Sequence, residues 1–200
     1  MSFHLFLNDH IHDHSSLDES WEGAVVFLYN QKDVFLIRRS VDVPTHRDQI
    51  AFFGGHRNSN EKTPLEVAAR ELVEESGLDL SIVQFNGCLQ KVQTKTGSWI
   101  VPVLAFTTLS SEDLLEKVEM NREWSTMMAY PLESLLNLQK WGFAERYVEN
   151  RRELIYFLHL DAREIKFKAF DSRDQLLWGV TAKIIKQAID LYLNRLSIKK

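Results

Sequence analysis

Residues 54–78 read GGHRNSNEKTPLEVAARELVEESGL, opening on two glycines and closing on a run that carries Glu71, Glu74 and Glu75. Thr63-Pro64, with Glu66 three positions after the threonine, predicts a capping box with proline in the first helical turn. Gly77 predicts the left-handed residue that closes the same helix. Between those ends Leu65, Ala68, Ala69, Leu72 and Val73 fall at helical spacing and predict its buried stripe. On such a helix Glu71 lies beside both Glu74 and Glu75, and like charges at that spacing weaken a helix by about 0.2–0.5 kcal/mol per pair. A hard divalent cation with oxygen ligands offsets that repulsion directly. Alone, an E-x-x-E-E pattern reads as a solvated face. The preceding Gly54-Gly55 changes the reading, because glycine lets backbone approach a ligand with no side chain in the way. A main-chain carbonyl at Gly54 can then join the acids on a metal, and Arg70 can pair with a neighbouring carboxylate and orient it.

Working outward, residues 24–29 and 34–37 are β-prone runs separated by Asn30-Gln31-Lys32-Asp33, which predicts a hairpin. Residues 40–49 are polar, contain Pro44 and predict a loop near the acids, and residues 50–53 predict a short strand leading into the glycines. Downstream, residues 80–92 predict a broken strand with a bend or bulge at Gly87, and residues 94–98 a turn. Residues 99–106 predict a strand that Pro102 places at an edge or bulge. A short acidic helix over 110–118, a strand over 124–130, a helix over 131–138, a strand over 154–160 and a last helix over 176–193 follow. Strands around a central helix, with a second long helix at the end, predict an α/β fold with a mixed sheet packed between helices. Residues 1–20 hold His4, His10, His12 and His14 with Asp9, Asp13 and Asp18 but show no apolar scaffold, so we expect a loosely docked extension without a metal role. Residues 21–200 are then one domain.

Apolar residues at 44% and charged residues at 26% are ordinary for a soluble globular chain. The net charge of −4 gives no overall pull on a nucleic acid backbone, although Arg38, Arg39, His46 and Arg47 supply local positive charge beside the glycines. No apolar run is long enough to span a bilayer, and no basic-then-apolar leader opens the chain. Cys88 is alone, which excludes an internal disulfide and suits a reducing compartment. The expected setting is cytoplasmic, with neither nucleic acid nor membrane as partner.

The segment Arg70-Glu71-Leu72-Val73-Glu74-Glu75-Ser76-Gly77-Leu78, with Gly55 and Glu61 ahead of it, resembles the Nudix box, residues 55–78 here. Eight residues separate Glu61 from Arg70, one more than usual, a spacing similar to that of the coenzyme A diphosphatase branch. Leu36, Arg39, Ser40, His46, Gln49, Ile50, Ala51, Phe52, Gly54 and Gly55 fall in register with that branch's upstream signature, and Trp178-Gly179-Val180-Thr181-Ala182 resembles a late one. The departures are Asp48 for a glycine, Phe53 for a proline and Asn58 for a common aspartate. The resemblance implies a Nudix α/β/α sandwich and Mg2+- or Mn2+-dependent hydrolysis of a nucleoside diphosphate linked to another group. It implies metal ligation by Glu71, Glu74 and Glu75, with Gly54 beside them and Arg70 as orienter. Glu61 takes an auxiliary role. Arg39, His46 and Gly55 fall to the substrate, whereas Trp99 and Phe52 read as core in preference to base-stacking groups. The general base stays open between a box glutamate and a later acid, Glu116, Glu119 or Glu123, of which Glu123 matches the branch. Coenzyme A or its derivatives come first as substrate. Nucleoside diphosphate sugars, ADP-ribose and dinucleoside polyphosphates follow, and a non-catalytic nucleotide sensor is the contrasting class. A homodimer is an assembly common among relatives.

Overall fold

The computed structural model describes residues 2–9, 20–148, 151–169 and 171–198. Strands β1 (Gly23–Tyr29) and β2 (Asp33–Arg39) form the expected hairpin, whose turn is tied by Asn30 Oδ1 accepting the N–H groups of Lys32 and Asp33 at 2.9 and 2.8 Å. The two strands pair beside the turn, at Tyr29 and Val34, and then part. Short strands fill the split, β3 (Ile50–Ala51) on β2 and β4 (Phe53–His56) on β1. That wedge brings the glycines into the middle of the sheet.

Helix α2 (Pro64–Ser76) follows, with the predicted capping box at Thr63 and Glu66 and Gly77 left-handed at φ 68°. Its buried face is rotated from the expected stripe. Val67 and Glu75 turn inward with Ala68 and Leu72, whereas Val73 is exposed. Apolar spacing places Val73 inside; the buried face is instead centred on the side of Ala68 and Glu75, whose carboxyl has a partner on β4.

Strands β5 (Gln84–Cys88), β6 (Val92–Gln93) and β7 (Trp99–Phe106) extend the sheet beyond β1, and β8 (Trp124–Pro131) and β11 (Lys166–Phe167) extend it beyond β2. Pairing of β1 with β7 is parallel and the other pairings are antiparallel, so the sheet is mixed. The expected bulge at Gly87 is present opposite β7. Pro102, expected at an edge or bulge, lies on an interior strand. It sits where β5 has ended and β6 has not begun, with its carbonyl accepting the Leu89 N–H at 2.9 Å, so its missing donor faces a gap in the ladder.

Alternation along the strands separates two cores. Ala24, Val26, Leu28, Phe35 and Ile37 pack with α2 and with α3 (Ser111–Lys117). Phe27, Tyr29, Val34 and Leu36 pack on the other face with α5 (Gly179–Ile198). The fold is thus an α/β sandwich of helices around a mixed sheet. A second sheet, β12 (Leu176–Trp178), β10 (Arg151–His159) and β9 (Trp141–Val148), flanks α5.

Several expectations change. The helix expected over 131–138 is one turn, α4 (Leu132–Leu135), and the closing helix starts at Gly179 after a short strand. Residues 10–19 and their histidines lie outside the described residues. The segment ahead of them is not loosely docked: α1 (Phe3–Asp9) buries Phe3, Phe6 and Leu7 fully against α5, with Tyr192 touching both phenylalanine rings. Asn8 caps the contact by accepting the buried Tyr29 O–H at 2.7 Å.

Candidate active site

The alternation of β4 against β1 sets the site. Gly54 and His56 face Val25 and Gly23, while the Arg57 N–H bonds the Glu22 carbonyl in the next register position. The Gly54 and His56 peptide groups therefore point away from β1, toward α2. Gly54 N–H donates to Glu75 Oε2 at 2.8 Å, and the His56 carbonyl accepts Arg70 Nη2 at 3.0 Å. Both glycines sit close against a neighbour. A Cβ on Gly54, whose φ is 145°, would strike the Ala24 carbonyl and Val25 Cα, and one on Gly55 would strike the Glu71 carboxylate. Gly55, expected to meet substrate, makes room for the Glu71 carboxylate.

Arg70 organises the acids. Its Nε donates to Glu61 Oε1 at 2.7 Å, and Nη1 donates to Glu71 Oε1 and Glu74 Oε2 at 2.8 and 2.9 Å. Glu61, also accepting the Asn58 N–H at 2.6 Å, is held below the usual carboxylate range by the Arg70 guanidinium. Glu75 differs: it is only 3% exposed, and its one N–H donor does not compensate for burial. Burial, reinforced by the charges of Glu71 and Glu123, pushes its carboxyl up to about 8. Burial likewise raises Glu71, with Glu74 and Glu123 adding to the shift against Arg70. The end of α2 is fixed by Trp124, whose Nε1 donates to the Glu75 carbonyl at 2.7 Å.

Among the later acids, Glu123 is the one whose charge acts on both Glu71 and Glu75. Glu119 packs against Gly77 at the far end of α2, and Glu116 lies on α3 with its carbonyl toward Lys168. Arg39 closes the other side, its charge acting on Glu75 and its buried Nε without a hydrogen-bond partner. His46 is exposed on the loop at 40–49, its Nδ1 3.2 Å from Gln49 Oε1. Phe52 belongs to the core, stacked on Phe27 at 5.0 Å, and Trp99 is half-buried under Lys91.

Among the described residues no three acidic, histidine or cysteine groups converge as a preformed cage. Arg70 holds Glu71 and Glu74 while Gly54 holds Glu75, so the cluster is an all-oxygen donor set with one buried, protonatable carboxyl. Such a set fits a hard cation that takes one or two carboxylates and completes its shell with water and substrate oxygens.

No local pattern marks Trp124, Asn58 or Asp48 as supports of the site. Their bonds join residues distant along the chain or run through backbone. A separate hollow of about 250 Å³ between β6, β10 and α5 is lined by Val92, Tyr156, Lys183, Lys186 and Gln187 and does not include the acids.

The profile of the NUDIX domain matches residues 20–154. Nudix hydrolase 3 of Caenorhabditis elegans is 25% identical over 187 residues, which cover 88% of this chain and 75% of that protein. A Nudix hydrolase NudL of Pectobacterium atrosepticum is 25% identical over 156 residues, 77% of this chain and 72% of its own. A MutT/nudix family protein from Enterococcus faecalis aligns with 97% of this chain and 70% of its own at 19% identity and a TM-score of 0.48, too distant to bear on substrate.

Proposed function

The chain belongs to the NUDIX family and hydrolyses phosphoric anhydride bonds, and we propose that its substrate is a nucleoside diphosphate linked to another moiety, coenzyme A or its derivatives first. The products would be adenosine 3′,5′-bisphosphate and 4′-phosphopantetheine. The observation that carries the reading is Glu75, a buried carboxyl raised to about 8 amid acids gathered by Arg70. A cation held by these carboxylates would favour the ionised form of Glu75, whose burial otherwise disfavours it.

Glu71, Glu74 and Glu75, with the Gly54 carbonyl beside them, would hold a magnesium or manganese ion. When bound, that ion supplies an acidified water and clamps the phosphoryl oxygens. Arg70 keeps Glu71 and Glu74 at a fixed separation. The free Arg39 Nε offers a planar donor to a phosphoryl oxygen. Glu123, coupled to Glu71 and Glu75 and exposed to solvent, is our choice for accepting the proton from the attacking water. His46 is an outer contact for the substrate.

The support for coenzyme A is the matched run from Leu36 to Gly55 together with the extra residue in the box. Two departures from that pattern are absorbed by internal contacts, Asp48 on Arg173 and Phe53 against Trp124, whereas Asn58 meets Glu61 through its backbone N–H. A second reading, nucleoside diphosphate sugars, ADP-ribose or dinucleoside polyphosphates, keeps the same chemistry and changes the pocket. A sensor without turnover is the opposing class, against which the intact set Arg70, Glu71, Glu74 and Glu75 counts. A cytoplasmic setting belongs to the proposal, supported by the lone Cys88, whose thiol burial pushes up to about 12. A homodimer rests on the resemblance alone. The test is a Mg2+-dependent hydrolysis panel of coenzyme A, ADP-ribose, GDP-mannose and diadenosine polyphosphates, read by separating products. Preferred cleavage of coenzyme A supports the reading, and preference for a nucleotide sugar replaces it with the second.

A further inference from the structure

Two non-glycine residues close together in the loop at 40–49 are left-handed, His46 at φ 54° and Asp48 at φ 59°. Side chains other than glycine adopt this conformation reluctantly, and it persists where the surroundings impose it. Two arginines hold Asp48 in it. Arg38, 2% exposed on β2, donates Nη1 to the Asp48 carbonyl at 2.9 Å. Arg173 donates Nη1 to Asp48 Oδ1 at 2.6 Å.

Arg173 is itself held in place. Its Nε and Nη2 donate to Asp171 Oδ1 and Oδ2 at 2.8 and 3.1 Å, and Nη2 also donates to Ser125 Oγ at 2.8 Å. Asp171, 7% exposed, accepts Arg38 Nε as well. Gln175 closes the turn, accepting Arg38 Nη2 and donating to the Asp171 and Arg173 carbonyls. The turn at 171–175 is therefore built around two guanidinium groups and one carboxylate, and it reaches the loop through Asp48.

The loop's roots are the site's own backbone. The Gln49 carbonyl, next to Asp48, accepts the Arg39 N–H at 2.9 Å, and the Ser40 N–H donates to the Glu123 carbonyl at 2.8 Å. Whatever fixes Asp48 thus bears on Arg39 and Glu123 together.

We propose that Arg173 and Asp48 form a clamp that positions the loop at 40–49, and through it Arg39 and Glu123, for the diphosphate of the substrate. Both are positioning residues. The proposal rests on the diphosphatase reading of the acid cluster. Asp48, at a position where glycine would take φ 59° unaided, exchanges backbone freedom for a grip that only a partner such as Arg173 supplies.

The experiment uses the full chain with Arg173→Ala, Asp48→Gly, which removes the acceptor without straining φ, and the double variant. It combines steady-state kinetics on the best diphosphate substrate of the wild type with hydrogen exchange of the metal-free proteins. Each single variant is expected to raise KM about 5- to 20-fold with kcat within about 2-fold. The double variant is expected to be no worse than Arg173→Ala, because both remove one interaction. Amides of residues 39–49 are expected to exchange about 10-fold faster, with those of α2 unchanged. Arg173→Lys, which keeps one donor to Asp48, should recover part of the KM. Unchanged KM in Asp48→Gly, or unchanged exchange over 39–49, overturns the clamp. If Arg173→Ala does not fold, Asp48→Gly decides. Wild type inert toward every diphosphate overturns the diphosphatase reading, and the exchange arm then decides the clamp by itself.

Discussion

Glu75→Gln in the metal-free protein isolates the group on which the site turns. Folding raises the Glu75 carboxyl from its ordinary 4.5 to about 8, chiefly by burial. A folded-state value above the unfolded one means that the native state binds the proton more tightly. The stabilisation is fully present below about pH 4.5 and is lost as pH rises through about 8. At about 1.4 kcal/mol per pH unit, a rise of about 3.5 units sets a ceiling near 5 kcal/mol. Glutamine fills the same volume and still accepts the Gly54 N–H through its oxygen, but it does not ionise. Urea unfolding in excess chelator from pH 5 to pH 9 should therefore show the wild type losing about 2–5 kcal/mol while Glu75→Gln loses markedly less. Glu71, also raised by burial, contributes a smaller fall common to both proteins, so the difference between the curves is the readout. Magnesium added at pH 8.5 should stabilise the wild type more than the variant, which keeps Glu71 and Glu74 but lacks the third carboxylate, because deprotonated ligands bind metal. Parallel curves for the two proteins would refute the assignment of the perturbed carboxyl to Glu75.

Gly55→Ala should fold, because the Cβ meets the movable end of Glu71, yet lose turnover at least about 10-fold as that carboxylate is displaced; kcat at saturating magnesium checks it. Gly54→Ala meets backbone at Ala24 and Val25 in place of a side chain and should cost about 2–4 kcal/mol in a urea titration. Arg70→Ala leaves Glu61, Glu71 and Glu74 without their shared donor and should lower stability by about 1–3 kcal/mol at pH 7, with Arg70→Lys recovering only part because one ammonium cannot span three carboxylates. Phe6→Ala, far from the acids, should cost about 3–5 kcal/mol in the same titration without changing KM, since α1 is part of the core.

Local signals were legible where the chain writes its structure in neighbouring residues. Thr63, Pro64, Glu66 and Gly77 delimit α2 because caps are short-range chemistry, and the hairpin at Asn30–Asp33 was readable for the same reason. The inward turn of Glu75 was not, because a carboxylate reads as solvent-facing until the Gly54 N–H is known to meet it. Helix α1 was obscured by its polar sequel, although Phe3, Phe6 and Leu7 stand at helical spacing. Strand β9 escaped because its aromatic residues Phe143 and Tyr147 remain exposed, leaving no buried alternation to detect. The Asp48–Arg173 pair joins residues 125 positions apart and has no local signature.

The measurement to make first is product release from coenzyme A by wild type and Glu75→Gln, each with magnesium and in excess chelator. Turnover confined to wild type with magnesium, yielding adenosine 3′,5′-bisphosphate and 4′-phosphopantetheine, is the expected result. Undiminished turnover by Glu75→Gln, or by wild type in chelator, would contradict a metal-dependent diphosphatase built on these acids.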